Sequence, residues 1–191
     1  LKNFLIINYI YSIMLKKIKL NYNFKTFLEA DYSVHSGSCI AHQVHELSDI
    51  HESYGGFPDS YNKNNTEIRQ LWFDNTQVDY KELEKQLGMV VVTVSSILQP
   101  PGNSIPIHRD TFFQVKNCFP ADARLKVRAN IYLEDWNVGH FLQYEIDKKW
   151  YNSTHWSMGD GFIWDHNHLH LSSNAGLANK YTLQVSGFLK N

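Results

Sequence analysis

His108 and Asp110 stand two residues apart in IPIHRDTF, residues 105–112. In extended backbone, side chains at i and i+2 leave the same face about 7 Å apart, so an imidazole and a carboxylate there can grip one ion from adjacent corners. That donor pair suits a divalent first-row metal better than magnesium or calcium. A third ligand from a distant strand would complete a facial triad with its opposite side open. An H-x-D pair alone is weak, since ten histidines and eleven aspartates in 191 residues give about 0.6 such pairs by chance. Context adds weight. The pair follows a strong strand and a Pro-Gly turn, and downstream, in WDHNHLHLSS, His166, His168 and His170 alternate. Any one of the three could reach a metal.

The elements that must position these residues are mostly strands. Residues 89–98 (MVVVTVSSIL) are rich in β-branched side chains and stop at Pro100-Pro101-Gly102. Over 125–133, Leu125, Val127, Ala129, Ile131 and Leu133 share one face, and Lys126, Arg128, Asn130 and Tyr132 the other. Further strands are predicted over 139–145, 150–156, 161–164, 169–173 and 181–188, with a Gly-Asp-Gly turn at 159–161. Upstream, 15–21 suits a short strand, and 33–65 reads as loops and turns. Two short helices are predicted next. Thr66 would cap a turn carrying Ile68, Leu71 and Trp72, and Asp79 would cap KELEKQL, closed by Gly88. The expected class is α+β, mainly β: a helical N-terminal half packed against a C-terminal β-barrel, sandwich or jelly roll.

Other side chains can be weighed for the pocket. Arg128, Asn130 and Tyr132 sit mid-barrel by alternation, and a solvated sheet face is the competing reading. Gln143, on the strand GHFLQ, is a candidate hydrogen-bonding group. Trp164 reads as core. Trp72 and Phe73 are expected on a helix that either closes the site or is simply buried. His35, His42, His45 and His51 fall in the irregular region and are assigned no role.

The order H-x-D, then RANIYLEDW, GHFLQ, W-x-x-GD and HLSSNAG…KYTLQVSG resembles the 2-oxoglutarate/Fe(II)-dependent oxygenases. The nearest likeness is to small hydroxylases related to prolyl and aspartyl/asparaginyl hydroxylases of marine bacteria and phages. The resemblance covers about residues 89–188 and implies a double-stranded β-helix (cupin-like) there. It implies Fe(II) held by His108, Asp110 and His170, with 2-oxoglutarate and O₂ as cosubstrates. His170 is chosen among the three histidines because Lys180 follows ten residues later, where the family places a cation for the remote carboxylate of 2-oxoglutarate. The same offset from His168 or His166 lands on Ala178 or Gly176. Arg128 is a second partner for that carboxylate, or even the principal one; Asn130, Tyr132 and Gln143 would line the cosubstrate site, and His166 and His168 a polar loop at its mouth. Two departures bear on chemistry. Many members carry Arg where this chain has Lys180, and lysine offers a point charge instead of a fork. Two-histidine aspartyl hydroxylases lack the metal carboxylate that Asp110 supplies, which argues against aspartyl chemistry; its presence also favours hydroxylation over halogenation.

Bulk properties narrow the remaining classes. Hydrophobic content of 43% and aromatic content of 14% indicate a globular protein, and 191 residues suit one domain, taken as 14–191. A net charge of −1 without a basic run disfavours nucleic acid. Cys39 and Cys118, far apart, point to a reducing, cytoplasmic setting. The apolar stretch 4–14 is too short to span a bilayer, so no membrane is expected, and residues 1–13 read as a leader or loose extension. The expected substrate is an amino acid, a peptide or a small molecule; oligomeric state is not legible. The competing readings are a cupin-type metalloenzyme of another reaction class, using His166 or His168 as a ligand, and a non-enzymatic jelly-roll binding module.

Overall fold

The computed structural model describes residues 15–34, 37–38, 45–62 and 64–190. The expected leader, His35, Cys39 and His42 lie outside these, as does the side chain of His45. From residue 89 onward strands dominate: β4 (Met89–Gln99), β5 (Asn103–His108), β6 (Lys126–Tyr132), β7 (His140–Ile146), β8 (Lys149–Ser153), β9 (Asp160–Asp165), β10 (His170–Asn174) and β11 (Lys180–Leu189). Before them come β1 (Lys16–Lys19), β2 (Gly37–Ser38) and β3 (Glu67–Phe73). Among the described residues four short α-helices are interspersed: α1 (Lys25–Leu28), α2 (Ser48–Ser53), α3 (Tyr80–Leu87) and α4 (Phe113–Cys118).

The strands pair antiparallel in two sheets, a seven-stranded one in the order β1-β9-β6-β11-β4-β3-β2 and a four-stranded one in the order β5-β10-β7-β8. From β4 on, the chain passes repeatedly between them: β4, β6, β9 and β11 lie in the large sheet, β5, β7, β8 and β10 in the small one. With β11 returning between β4 and β6, this is a double-stranded β-helix, the jelly-roll way of leaving few open edges.

The alternation of β6 decides what each face of the large sheet covers. Val127, Ala129, Ile131 and Leu133 are each 0% exposed and pack with Phe27, Leu83 and Met89. Full burial of a Val, Leu or Ile side chain is worth about 1.5–3 kcal/mol, so this outer layer anchors the N-terminal elements. Leu125, outside the strand, is partly exposed. The opposite face of β6 looks toward the small sheet, where Tyr132, Leu142, Tyr144, Trp156, Phe162 and Trp164 form a second, largely aromatic core. Helix α3 begins and ends as its sequence demands: Asp79 accepts a hydrogen bond from Glu82 N–H at 3.0 Å, and Gly88, at φ +68°, turns the chain left-handed.

Residues 66–72 depart from expectation. They are not helical: β3 pairs with β4, Leu71 lying opposite Ser96. Thr66 Oγ1 donates to Asn62 O instead of capping a helix. In EIRQLWF, Leu71 and Phe73 join the outer core while Ile68, Gln70 and Trp72 face a cavity, a two-residue period. Pairing with the edge of β4 overrides the helical spacing of Ile68, Leu71 and Trp72. The N-terminal half is therefore less helical than expected, adding three strands to the large sheet.

Candidate metal centre

β5 and β10 are neighbours, with His108 opposite His170 and Ile105 opposite Ser172. Between those pairs two residues of β5 face one of β10, a β-bulge at Pro106 and Ile107. A proline is tolerated at such a bulge, and the extra residue brings Ile105 and His108, three apart, onto the same inner face. β5 ends at His108, so Asp110 is delivered by the following turn and not by strand alternation. Phe112 closes that turn at φ +53°, a conformation costing about 1–2 kcal/mol, offset by burial of its ring against Val115 and Phe188.

One ligand atom from each of His108, Asp110 and His170 lies within 4.8 Å of the others, and all three residues are buried. The imidazole centroids are 4.2 Å apart. His108 Nδ1 is 2.8 Å from Pro106 O, and His170 Nδ1 is 3.1 Å from His168 O. A carbonyl only accepts, so each Nδ1 carries the proton and Nε2 keeps the lone pair that a metal needs. Trp164 Nε1–H donates to Asp110 Oδ2 at 2.8 Å, and the Arg128 guanidinium donates to Oδ1. Burial pushes the Asp110 carboxyl upward, but the charge of Arg128, with the indole hydrogen bond beside it, holds the group below the ordinary carboxylate range. Two imidazoles and a committed carboxylate, converging in a buried site, could hold a metal ion, and their donor types match those of a facial first-row centre.

Beside the triad a narrow cleft of about 40 Å³ runs between the sheets, lined by Asn130, Tyr132, Ser172 and Lys180 among others. Ser172 follows His170 by two residues on the same face, about 7 Å along the strand. Lys180, 2% exposed, donates from Nζ to Ser172 Oγ at 2.6 Å and to Phe141 O. Burial lowers its ammonium to about 7, against the opposing pull of Glu134. Asn130 Oδ1 accepts from Gln184, while its buried Nδ2 has no acceptor. The cleft thus offers an ammonium and an unsatisfied amide N–H, groups that a carboxylate would satisfy.

Among the residues singled out by sequence, His108, Asp110 and His170 come together, and Lys180, Asn130 and Tyr132 line the adjoining cleft. The Tyr132 hydroxyl donates to Ser153 at 3.1 Å. Arg128 differs from expectation: its guanidinium is engaged by Asp110 and, through Nε at 2.9 Å, by Ser186. Its side chain lines the cavity that it shares with His108 and Arg109, not the cleft that holds Lys180. Gln143 is on the wrong face. Leu142 and Tyr144 point inward, while Gln143 donates to Asn152 at 2.6 Å and lines a separate cavity of about 410 Å³ with Tyr54, Phe57 and Trp150. His168 is buried with Nδ1 3.3 Å from Asp165 Oδ1, outside the triad and not in a polar mouth; His166 is exposed. His51 Nε2 donates to Ile107 O at 2.9 Å, bracing the strand that carries His108. Trp72 and Phe73 sit on a strand, Trp72 exposed and Phe73 buried. The role of Trp164 was missed: it is core, but its indole N–H holds Asp110, 54 residues away, and nothing local signals that.

No family model and no curated protein matches the chain. Solved structures do match. A prolyl-4-hydroxylase from Pseudomonas putida superposes with a TM-score of 0.54 at 15% identity, covering 98% of this chain and 98% of that one. The non-heme alpha ketoglutarate dependent carbocyclase SnoK from nogalamycin biosynthesis superposes with a TM-score of 0.55 at 8% identity, covering 96% and 82%. The chain shares its double-stranded β-helix fold with both proteins. At these identities the likeness is one of fold, and any chemistry rests on this chain's own side chains. Among the described residues no helix is long and apolar enough to cross a membrane.

Proposed function

We propose that this protein is an Fe(II)- and 2-oxoglutarate-dependent oxygenase that hydroxylates an unactivated C–H bond of an amino acid, a peptide or a small molecule. The observation that carries the reading is the convergence of His108, Asp110 and His170 at a cleft that holds the buried Lys180. When bound, Fe(II) with 2-oxoglutarate and O₂ supplies the oxidising power, with succinate and CO₂ as products. The chain supplies the rest. His108, Asp110 and His170 would hold the metal; Pro106 O and His168 O fix the imidazole tautomers, while Arg128 and Trp164 fix the carboxylate. Lys180 and Asn130 would take the remote carboxylate of the cosubstrate. The aromatic layer of Tyr132, Phe162 and Trp164 keeps water from this end of the barrel. A reducing, cytoplasmic setting belongs to this reading, since Fe(II) persists there and the exposed Cys118 stays a thiol.

The test is turnover. Protein reconstituted with Fe(II) is expected to release succinate from 2-oxoglutarate in an O₂-dependent manner, slowly alone and faster with substrate. His108→Ala and His170→Ala are expected to reduce that release to background. Release unchanged in both variants contradicts the proposal.

A further inference from the structure

Arg109 lies between the two sequential metal ligands, and its side chain is exposed. Among the described residues, the other three arginines each rest on a carboxylate: Arg69 on Glu67 at 2.8 Å, Arg124 on Asp122 at 2.6 Å, and Arg128 on Asp110. Arg109 has no such partner. It lines two cavities that meet along the Arg109–Phe112 segment, one of about 250 Å³ and one of about 460 Å³.

The two cavities differ in character. The smaller also reaches His108 and is flanked by Trp72, 49% exposed, and Phe113, 64% exposed. Two large aromatic rings left in water beside a reactive centre form a surface for an apolar body. The larger cavity gathers Lys116, Arg124, Lys126 and His166, against Glu46 and the metal ligand Asp110 as its acids. Asp122 answers Arg124, yet Lys116 and Arg109 form no ion pair among the described residues. In a chain of net charge −1 this is a local excess of positive charge, sited next to the cavity that reaches His108.

We infer that the molecule oxidised here is an anion, its carboxylate or phosphate received by Arg109 and its apolar body lying against Trp72 and Phe113. This rests on the oxygenase reading and adds the substrate class. A planar guanidinium with its donors uncommitted matches either oxyanion by paired hydrogen bonds. Lys116 and Lys126 would draw the anion in over a longer range. Because Arg109 lines the same cavity as His108 and Asp110, a group anchored on it lies beside the metal site.

The experiment uses the full chain loaded anaerobically with Fe(II) and 2-oxoglutarate, and first records the metal-to-ligand charge-transfer band. No band means that the oxygenase reading itself has failed. With the band present, calorimetry at low salt compares three probes sharing one body: 3-phenylpropionate, phenethyl phosphate and the neutral 3-phenylpropanamide. At least one anion is expected to bind about fivefold tighter than the amide, the upper range for an ion pair near the surface. Whichever anion binds better identifies the oxyanion. In Arg109→Gln the preference is expected to vanish while the band persists, and Lys81→Gln, with the same change of charge on α3, is expected to keep the preference. An amide that binds as well as both anions, an absence of saturable anion binding, or a preference that survives in Arg109→Gln overturns the inference.

Discussion

The indole Nε1–H of Trp164 donates to Asp110 Oδ2 at 2.8 Å, fixing this carboxylate of the candidate metal site from the aromatic core while Arg128 fixes it from the cavity side. A ligand whose orientation is set before the ion arrives binds that ion more tightly, and losing such a support typically weakens metal affinity about 10–100-fold. Trp164→Phe keeps an aromatic ring at this fully buried place and removes the donor together with part of the ring's volume. Metal titration of this variant is expected to show a loss in that range, with a stability cost of about 2–4 kcal/mol in denaturant melts from the lost hydrogen bond and the cavity together. Equal affinity in wild type and variant would remove Trp164 from the centre's support.

Lys180 gives the cleft a pH signature. Its folded pKa is lowered to about 7 from an ordinary value of 10.5, chiefly by burial. Between those values the unfolded chain holds a proton that the folded chain lacks, so the group's contribution to stability rises with pH through that window. A bound carboxylate restores the charge, so above pH 7 the empty cleft must take up a proton to bind 2-oxoglutarate. Affinity is then expected to fall as pH rises from 7 to 9, by up to about tenfold per unit, with proton uptake visible as a buffer-dependent enthalpy. Lys180→Met is expected to bind weakly and lose the proton uptake. Binding independent of pH would contradict this role.

Legibility from sequence was uneven, and the physics explains where. The β6 pattern was plain because Val127, Ala129 and Ile131 bury on one face of the strand, and Leu133 just beyond its end continues that layer. H-x-D was legible as a pair, although the turn after β5, not alternation, delivers Asp110. Gln143 was misplaced because a face assignment flips with one residue of register, which depends on pairing with β10. Residues 67–73 carry helical and strand periods together, and only the neighbouring β4 decides between them. Long-range contacts such as Trp164–Asp110 and Arg128–Ser186 depend on which strands become neighbours, and no local spacing reveals them.

The histidine choice can be tested directly. His170 meets His108 across the β5–β10 pair, whereas buried His168 is turned to Asp165. His170→Ala is expected to abolish stoichiometric metal binding, while His166→Ala is expected to leave it intact. Loss in His166→Ala with retention in His170→Ala would relocate the centre.

Stability and site are expected to separate at α3. Asp79→Ala removes the side-chain cap on Glu82 N–H and should cost about 1 kcal/mol in chemical denaturation. Metal affinity below the melting transition should not change, since α3 packs on the outer face of the large sheet, away from the cleft. A parallel loss of metal binding in the folded protein would show a coupling that this architecture does not contain.

The most direct measurement is an anaerobic titration of the apoprotein with Fe(II) in the presence of 2-oxoglutarate, followed by visible absorption. The three ligands and the cleft together predict a charge-transfer band that saturates at one iron per chain and is lost in Asp110→Ala. A featureless spectrum with one iron bound, or a band undiminished in Asp110→Ala, would contradict the assignment.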